Sequence, residues 1–248
     1  MNAGEVRPRV SVCMATYNGA EFVGEQLASI TEQLGPDDEV IVVDDASTDG
    51  TADVVTALQD PRIRVIPGTL NRGYVATFER AIAESRGRYV MLSDQDDVWL
   101  PGRVDALVGA LAENWFVASN FSVFGGAPNR LHRIRLRARD SGRRAANLFA
   151  TWVGYRPYYG CAMAFREEAK GLILPFPPFL DETHDQWIAL VGNLHRKMVH
   201  LEEPTVSRRL HDLNTTPKTA RPVRMILRAR IMLLRAFASA LLRKWRTR

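Results

Sequence analysis

Three carboxylates fall within four positions, at Asp94, Asp96 and Asp97, where the apolar run Tyr89-Val90-Met91-Leu92 gives way to Ser93. In an extended segment residues i and i+2 point the same way, so Asp94 and Asp96 are expected to face one site and Gln95 another. Carboxylates held close together raise each other's pKa unless a cation or solvent screens them. A hard divalent ion, Mg²⁺ or Mn²⁺, meets that need and keeps coordination positions for water and phosphate. A solvated acidic turn capping a helix that opens at Pro101 accounts for the same residues without a ligand. The pattern recurs upstream: Val40-Ile41-Val42-Val43 ends in Asp44-Asp45, followed by the cap-rich turn Ala46-Ser47-Thr48-Asp49-Gly50.

These acids need elements to place them. Val10 to Ala15 reads as a buried strand that stops at Thr16-Tyr17-Asn18-Gly19. A helix is expected from Ala20 to about Leu34, closed by Gly35-Pro36, then a strand from Glu39. The helix Thr51 to Leu58, a short strand Arg62 to Ile66 and a helix from Asn71 through Glu84 precede the strand that carries Asp94. Such alternation predicts a mainly parallel sheet flanked by helices, with ligands outside the carboxyl ends of its strands. Thr16, Asp44, Asp45, Asp94 and Asp96 all lie at those ends.

Composition is that of an ordinary globular chain of 248 residues, 46% hydrophobic and 25% charged. The two cysteines, Cys13 and Cys161, sit in apolar runs without metal-ligand spacing, as expected of a reduced cytoplasmic protein. No signal peptide is apparent at the N-terminus. Beyond Asp212 there are ten basic residues and no acid, which leaves about −5 on residues 1–212. The basic balance therefore belongs to the tail, and a nucleic-acid-binding domain is not implied.

Val10 to Asn18 (VSVCMATYN), Val42 to Gly50 (VVDDASTDG), Asn71 with Gly73, Ser93 to Pro101 (SDQDDVWLP) and His184-Asp185-Gln186-Trp187 resemble the motifs of inverting family 2 glycosyltransferases. The SDQDDVW and HDQW segments are most similar to the rhamnosyltransferase-like branch. The resemblance implies a Rossmann-like GT-A catalytic domain over residues 1–215 and leaves 216–248 as a basic amphipathic helical tail. It implies a nucleotide-diphosphate sugar donor, with dTDP-rhamnose the first choice and UDP-sugars the alternative. Thr16 and Tyr17 would lie by the nucleotide base, Asp45 would accept from a pyrimidine N–H, and Asp44 would support the turn. Asp94 and Gln95 would lie near ribose and sugar, and Arg72 would reach phosphate or sugar. Asp96 would ligate the metal, Mn²⁺ or Mg²⁺, joined by His211 in a His-x-x-Asn segment ending at Asn214. Asp185 would be the general base for the hydroxyl of a saccharide or lipid-linked acceptor, which makes one inverting displacement sufficient. Each residue also has an ordinary reading: Tyr17 as a core wall, Asp185 as a helix cap, Arg72 as an exposed arginine beginning a helix, His211 as a loop histidine contacting phosphate or solvent, and the whole chain as a non-catalytic nucleotide-sugar binder.

Two stretches lie between or beyond these motifs. Arg130 to Arg144 holds seven arginines and reads as a mobile solvated loop, or as a lid for anionic acceptor groups. Trp152, Tyr155, Tyr158 and Tyr159 precede Gly160 and offer an aromatic acceptor platform, part of which core packing would explain. From Pro222 a helical projection places Val223, Ile226, Leu233, Leu234, Phe237, Leu241 and Trp245 on one face. Its frequent arginines argue against a membrane span. The helix is expected to lie on anionic lipid at the inner face of the cell membrane, or to pack on the catalytic domain or on a second subunit as a homodimer.

Overall fold

The structure, a computed structural model, describes residues 7–126, 133–211 and 222–246. Arg130, His132 and Asn214 lie outside them, as does the expected boundary at 215. The chain runs β1 (Val10–Thr16), α1 (Val23–Thr31), β2 (Glu39–Asp44), α2 (Thr51–Ala57), β3 (Ile63–Pro67), α3 (Tyr74–Glu84), β4 (Tyr89–Ser93), β5 (Val98–Trp99) and α4 (Arg103–Leu111). It continues with β6 (Phe116–Phe124), α5 (Arg144–Trp152), β7 (Met163–Arg166), α6 (Lys170–Ile173), α7 (His184–Leu194), β8 (Met198–Arg209) and α8 (Val223–Arg246).

These strands form one eight-stranded sheet ordered β3-β2-β1-β4-β7-β6-β8-β5. Its first four strands are parallel, β7 is antiparallel to both β4 and β6, and β8 runs parallel to β6. Strands covered on both faces read as continuous apolar runs, and all six residues of β2 are buried. Alternation within those runs divides the core. Val12, Met14, Val40 and Val42 pack with Leu27 of α1 and Leu107 of α4, whereas Cys13, Ile41 and Val43 pack with Phe78 of α3 and with α7 and α8.

The first helix starts at Val23 rather than Ala20, because the preceding amides bond elsewhere. Asn18 N–H donates to Ser47 Oγ at 2.9 Å, Gly19 N–H to Thr51 Oγ1 at 2.9 Å and Ala20 N–H to Asp49 Oδ2 at 3.0 Å. The loop after β1 is thereby stitched to the loop after β2. Likewise α4 begins two residues after Pro101, beyond Gly102, whose φ of 80° suits glycine.

The tail helix α8 packs on the rest of the fold: Ala229, Met232, Leu233, Ala236 and Ala240 are buried, and Met232, Ala236 and Ala240 join the core that includes α3 and α7. Of the face projected from sequence, Leu233 and Phe237 reach the core, whereas Val223, Ile226, Leu234 and Trp245 are exposed. Alanines allow the closer approach of helix to helix, so the less bulky face is the buried one. Arg243 Nη1 donates to the Ile173 carbonyl at 3.1 Å, and Lys244 Nζ donates to the Leu194 carbonyl at 2.5 Å.

Candidate active site

The three polar strand ends, of β1, β2 and β4, converge along one edge of the parallel sheet, each held differently. Asp44 braces its own turn: Oδ1 accepts from Thr16 Oγ1 at 2.9 Å and from Ser47 Oγ at 2.6 Å, and Oδ2 accepts from Ser47 N–H at 2.9 Å. Thr16 is buried and its hydroxyl is engaged there, while the Tyr17 ring stands exposed beside it. Asp45 receives the Arg72 and Gly73 amides, both at 2.8 Å, which fixes the start of α3 against β2. Each of its oxygens keeps a second lone pair. The Arg72 side chain is exposed.

The third strand end departs from simple alternation. β4 stops at Ser93, so Asp94 to Asp97 form a turn in which i and i+2 no longer share a face. Gln95 clamps the Tyr17 backbone, accepting from its N–H at 2.8 Å and donating to its carbonyl at 3.0 Å. Asp97, not Asp96, turns inward with Asp94: carboxylate oxygens of both and Cys161 Sγ lie within 4.8 Å of one another. Burial, then like charge, lifts the Asp94 carboxyl to about 6 and the Asp97 carboxyl to about 7. Burial also pushes the Cys161 thiol well up, so it stays protonated and is a poor ligand for a hard ion.

Asp96 instead faces His211, with Nε2 to Oδ2 at 2.8 Å and both side chains partly exposed. A carboxylate oxygen beside an imidazole nitrogen is a suitable donor set for Mn²⁺. His211 is steadied by stacking on Phe22, with ring centroids 4.6 Å apart. Arg209 ties the turn to β8: its N–H donates to Asp97 Oδ1 at 3.1 Å and its Nε to the Asp96 carbonyl at 3.1 Å.

Asp185 occupies the first turn of α7, after Thr183 in the left-handed region at φ 64°. Burial is the chief cause that raises its carboxyl to about 7, and the Asp94 charge adds to it. Gln186 N–H donates to Asp185 Oδ1 at 2.7 Å. Gly160 forms the opposite wall, where an added Cβ would stand 2.9 Å from His184 Nε2 and 3.8 Å from Asp185 Cβ. The His184 ring is buried against Phe78 at 4.3 Å, neither nitrogen has a hydrogen-bond partner, and burial lowers its pKa to about 3.

The four aromatic residues before Gly160 separate. Tyr158 is buried and shares a 2.8 Å hydrogen bond with His200. Tyr159 lies under the Arg208 guanidinium at 4.5 Å, and Trp152 and Tyr155 are exposed near α8. The arginine-rich segment is tied down from Leu136 onward, where Leu136 N–H donates to Asn120 Oδ1 at 2.8 Å and the Leu136 carbonyl accepts from Asn120 Nδ2 at 3.0 Å. Asp140 pairs with both Arg143 and Arg156.

Arg208, Asp97 and Cys161 were not foreseen. Arg208 is buried, its Nε and Nη1 have no hydrogen-bond partner, and Asp94 and Asp97 are among the charges around it. Within Ser207-Arg208-Arg209 its sequence context is that of a surface strand, and only the period of two in β8 separates the inward from the outward arginine.

Sheet order, acidic strand ends and the carboxyl on α7 define a GT-A nucleotide-sugar transferase fold. S. aureus TarS bound to UDP aligns with a TM-score of 0.68 at 18% identity, covering 94% of this chain and 65% of that one. A mannosyltransferase of Pyrobaculum calidifontis, PcManGT, in complex with GDP-Man and Mn²⁺, aligns with a TM-score of 0.58 at 23% identity, covering 96% and 75%. At these identities the likeness speaks for the fold alone. The sequence profile of Glycosyl transferase family 2 matches residues 11–171, and the chain belongs to that family. Asp185 and His211 lie beyond the matched segment.

Among curated relatives, the succinoglycan biosynthesis protein ExoO of Rhizobium meliloti is 37% identical over 101 residues, 41% of this chain and 29% of that protein. The Escherichia coli enzyme WfgD, a UDP-Glc:alpha-D-GlcNAc-diphosphoundecaprenol beta-1,3-glucosyltransferase, is 25% identical over 116 residues, 46% of each. The chain thus matches less than half the length of these relatives.

Proposed function

We propose that this protein is a metal-dependent inverting glycosyltransferase that moves a sugar from a nucleotide-diphosphate donor to a hydroxyl of a saccharide or lipid-linked acceptor. The observation that carries the reading is Asp185, a recessed carboxyl in the first turn of α7 that faces the close-packed Gly160 and is raised to about 7. A carboxyl with that pKa is half ionised near neutrality and can take a proton from an acceptor hydroxyl. The hydroxyl oxygen bonds to the anomeric carbon as the bond from that carbon to the diphosphate oxygen breaks, inverting the carbon. The proton ends on Asp185 and the electron pair leaves with the diphosphate.

Asp96 and His211 would hold Mn²⁺ or Mg²⁺, whose charge would stabilise the leaving diphosphate. Tyr17, its backbone clamped by Gln95, would line the base, with Thr16 and Asp44 fixing the turn behind it. Asp45 would use its remaining lone pairs for the base, Asp94 would face ribose or sugar, and Arg72 would reach phosphate. Motif resemblance supports dTDP-rhamnose as donor. UDP-sugars are supported by the UDP bound to TarS and by the WfgD reaction name. That name also supports a lipid-linked acceptor, for which a cytoplasmic position at the inner face of the membrane is suitable.

Thermal stabilisation by a panel of nucleotide sugars, with and without Mn²⁺, tests the donor half on wild type and Asp96→Ala. The expected result is a Mn²⁺-dependent shift with one nucleotide class, weakened about 100-fold in donor or metal affinity by Asp96→Ala. No shift with any donor would overturn the reading. A shift without sugar transfer to any acceptor would favour a binding protein.

A further inference from the structure

The face of α8 opposite its buried alanines is apolar and open. Val223, Leu227, Ile231, Leu234, Leu242 and Trp245 recur at helical spacing, each at least half exposed, from 51% for Ile231 to 81% for Val223. At 1.5 Å per residue the 24-residue helix carries this stripe for roughly 36 Å. Arg224, Arg228 and Arg235 border one side of it. On the other side Arg230 Nη2 donates to the Val153 carbonyl at 2.8 Å, which brings the end of α5 alongside. There Phe149, Trp152 and Tyr155 are also exposed, and the rings of Phe149 and Trp152 are 6.0 Å apart. Two elements distant in sequence thus present apolar surface together.

We infer that α5 and α8 form one surface that seats the protein on an anionic lipid bilayer, beside the acceptor-side mouth. The charge decides the occupant. The helix carries no acid at all, and its arginines border the stripe where a bilayer would present headgroup phosphates. A second copy would bring the same arginines with no acid on its helix to answer them. Among the described residues no helix is long and apolar enough to cross a membrane, so the helix lies along the surface. The mouth is close by: Arg228 pairs with Asp181, four residues before Asp185, and the chain leaving α5 reaches Gly160 at the wall of the same carboxyl. A lipid-linked acceptor would therefore reach Asp185 from the bilayer, a consequence that rests on the transferase reading above.

Vesicle flotation of the full chain tests the surface, with phosphatidylglycerol–phosphatidylcholine vesicles against phosphatidylcholine alone. Wild type is expected to float with the anionic vesicles, less so at high salt. The triple variant Leu227→Glu, Ile231→Glu, Leu234→Glu should lose at least about tenfold in partitioning. Arg224→Glu, which leaves the apolar stripe intact, should weaken anionic binding alone. Mn²⁺-dependent donor stabilisation measured on every variant reports folding separately. Failure of wild type to float, or equal flotation with neutral vesicles, would overturn the inference. So would a dimer in light scattering that the triple variant dissolves while wild type ignores vesicles. Donor stabilisation with no flotation would sink the membrane surface alone, and flotation with no donor effect would sink the transferase reading alone.

Discussion

The turns on the proposed donor side and the α7 carboxyl on the proposed acceptor side differ in how their polar groups are held. On the proposed donor side Asp44, Asp45 and Gln95 have their polar atoms engaged by fixed backbone or hydroxyl partners, while Asp94 and Asp97 behind them are buried and raised. At the acceptor end Asp185 is raised to about 7, His184 is held neutral, and two Arg208 nitrogens lack hydrogen-bond partners. Saturated hydrogen bonding gives rigid shape at little electrostatic cost, whereas buried and poorly matched ionisable groups give reactivity at a cost in stability. The first suits recognition of a rigid base and diphosphate, and the second suits proton removal.

Asp185→Asn should separate the two ends most sharply, lowering transfer about 10³-fold while donor-induced stabilisation remains. Equal loss of both would erase the distinction. Next in size is pH. A general base is active when ionised, and Asp185 ionises near 7. Turnover at saturating donor should therefore rise roughly tenfold per pH unit below 7 and level off above it. The sign for stability is opposite: with its folded-state pKa above the unfolded value, this group costs the fold more as pH rises through that window. A turnover profile flat from pH 5 to 8 would reassign the base.

A smaller effect is expected on the donor side. Asp45→Ala frees the Arg72 and Gly73 amides, and should cost about 1–2 kcal/mol of stability by urea denaturation and about tenfold in donor affinity. Smallest of all is His184→Leu, which replaces a neutral ring in an apolar pocket and should change stability by less than about 1.5 kcal/mol with transfer largely kept. A large fall in turnover with the fold intact would instead make His184 a positioning residue.

The parallel half and its acidic ends were legible in sequence because each apolar run stops abruptly at carboxylates, a signal carried by neighbouring residues. The pairing of Asp96 with His211 was legible as two motif positions, although 115 residues separate them. Asp97 was not, because its inward turn depends on β4 ending at Ser93 and on Arg209 of β8 bonding to it. The tail was legible as a helix, but the single face projected for it divides: Leu233 and Phe237 pack inward beside the alanines, whereas Val223, Ile226, Leu234 and Trp245 stay exposed.

The clasp of Arg209 on the acid turn also bears on the entropy of binding. Because the Asp97 carboxylate and the Asp96 carbonyl are already bonded to a strand of the main sheet, that turn has little conformational freedom left to lose when a ligand arrives. Ordering costs on association should then fall chiefly on the ligand and on exposed side chains such as Tyr17 and Arg72. Donor affinity would be tuned by those side chains, with the sheet edge acting as a template of fixed shape.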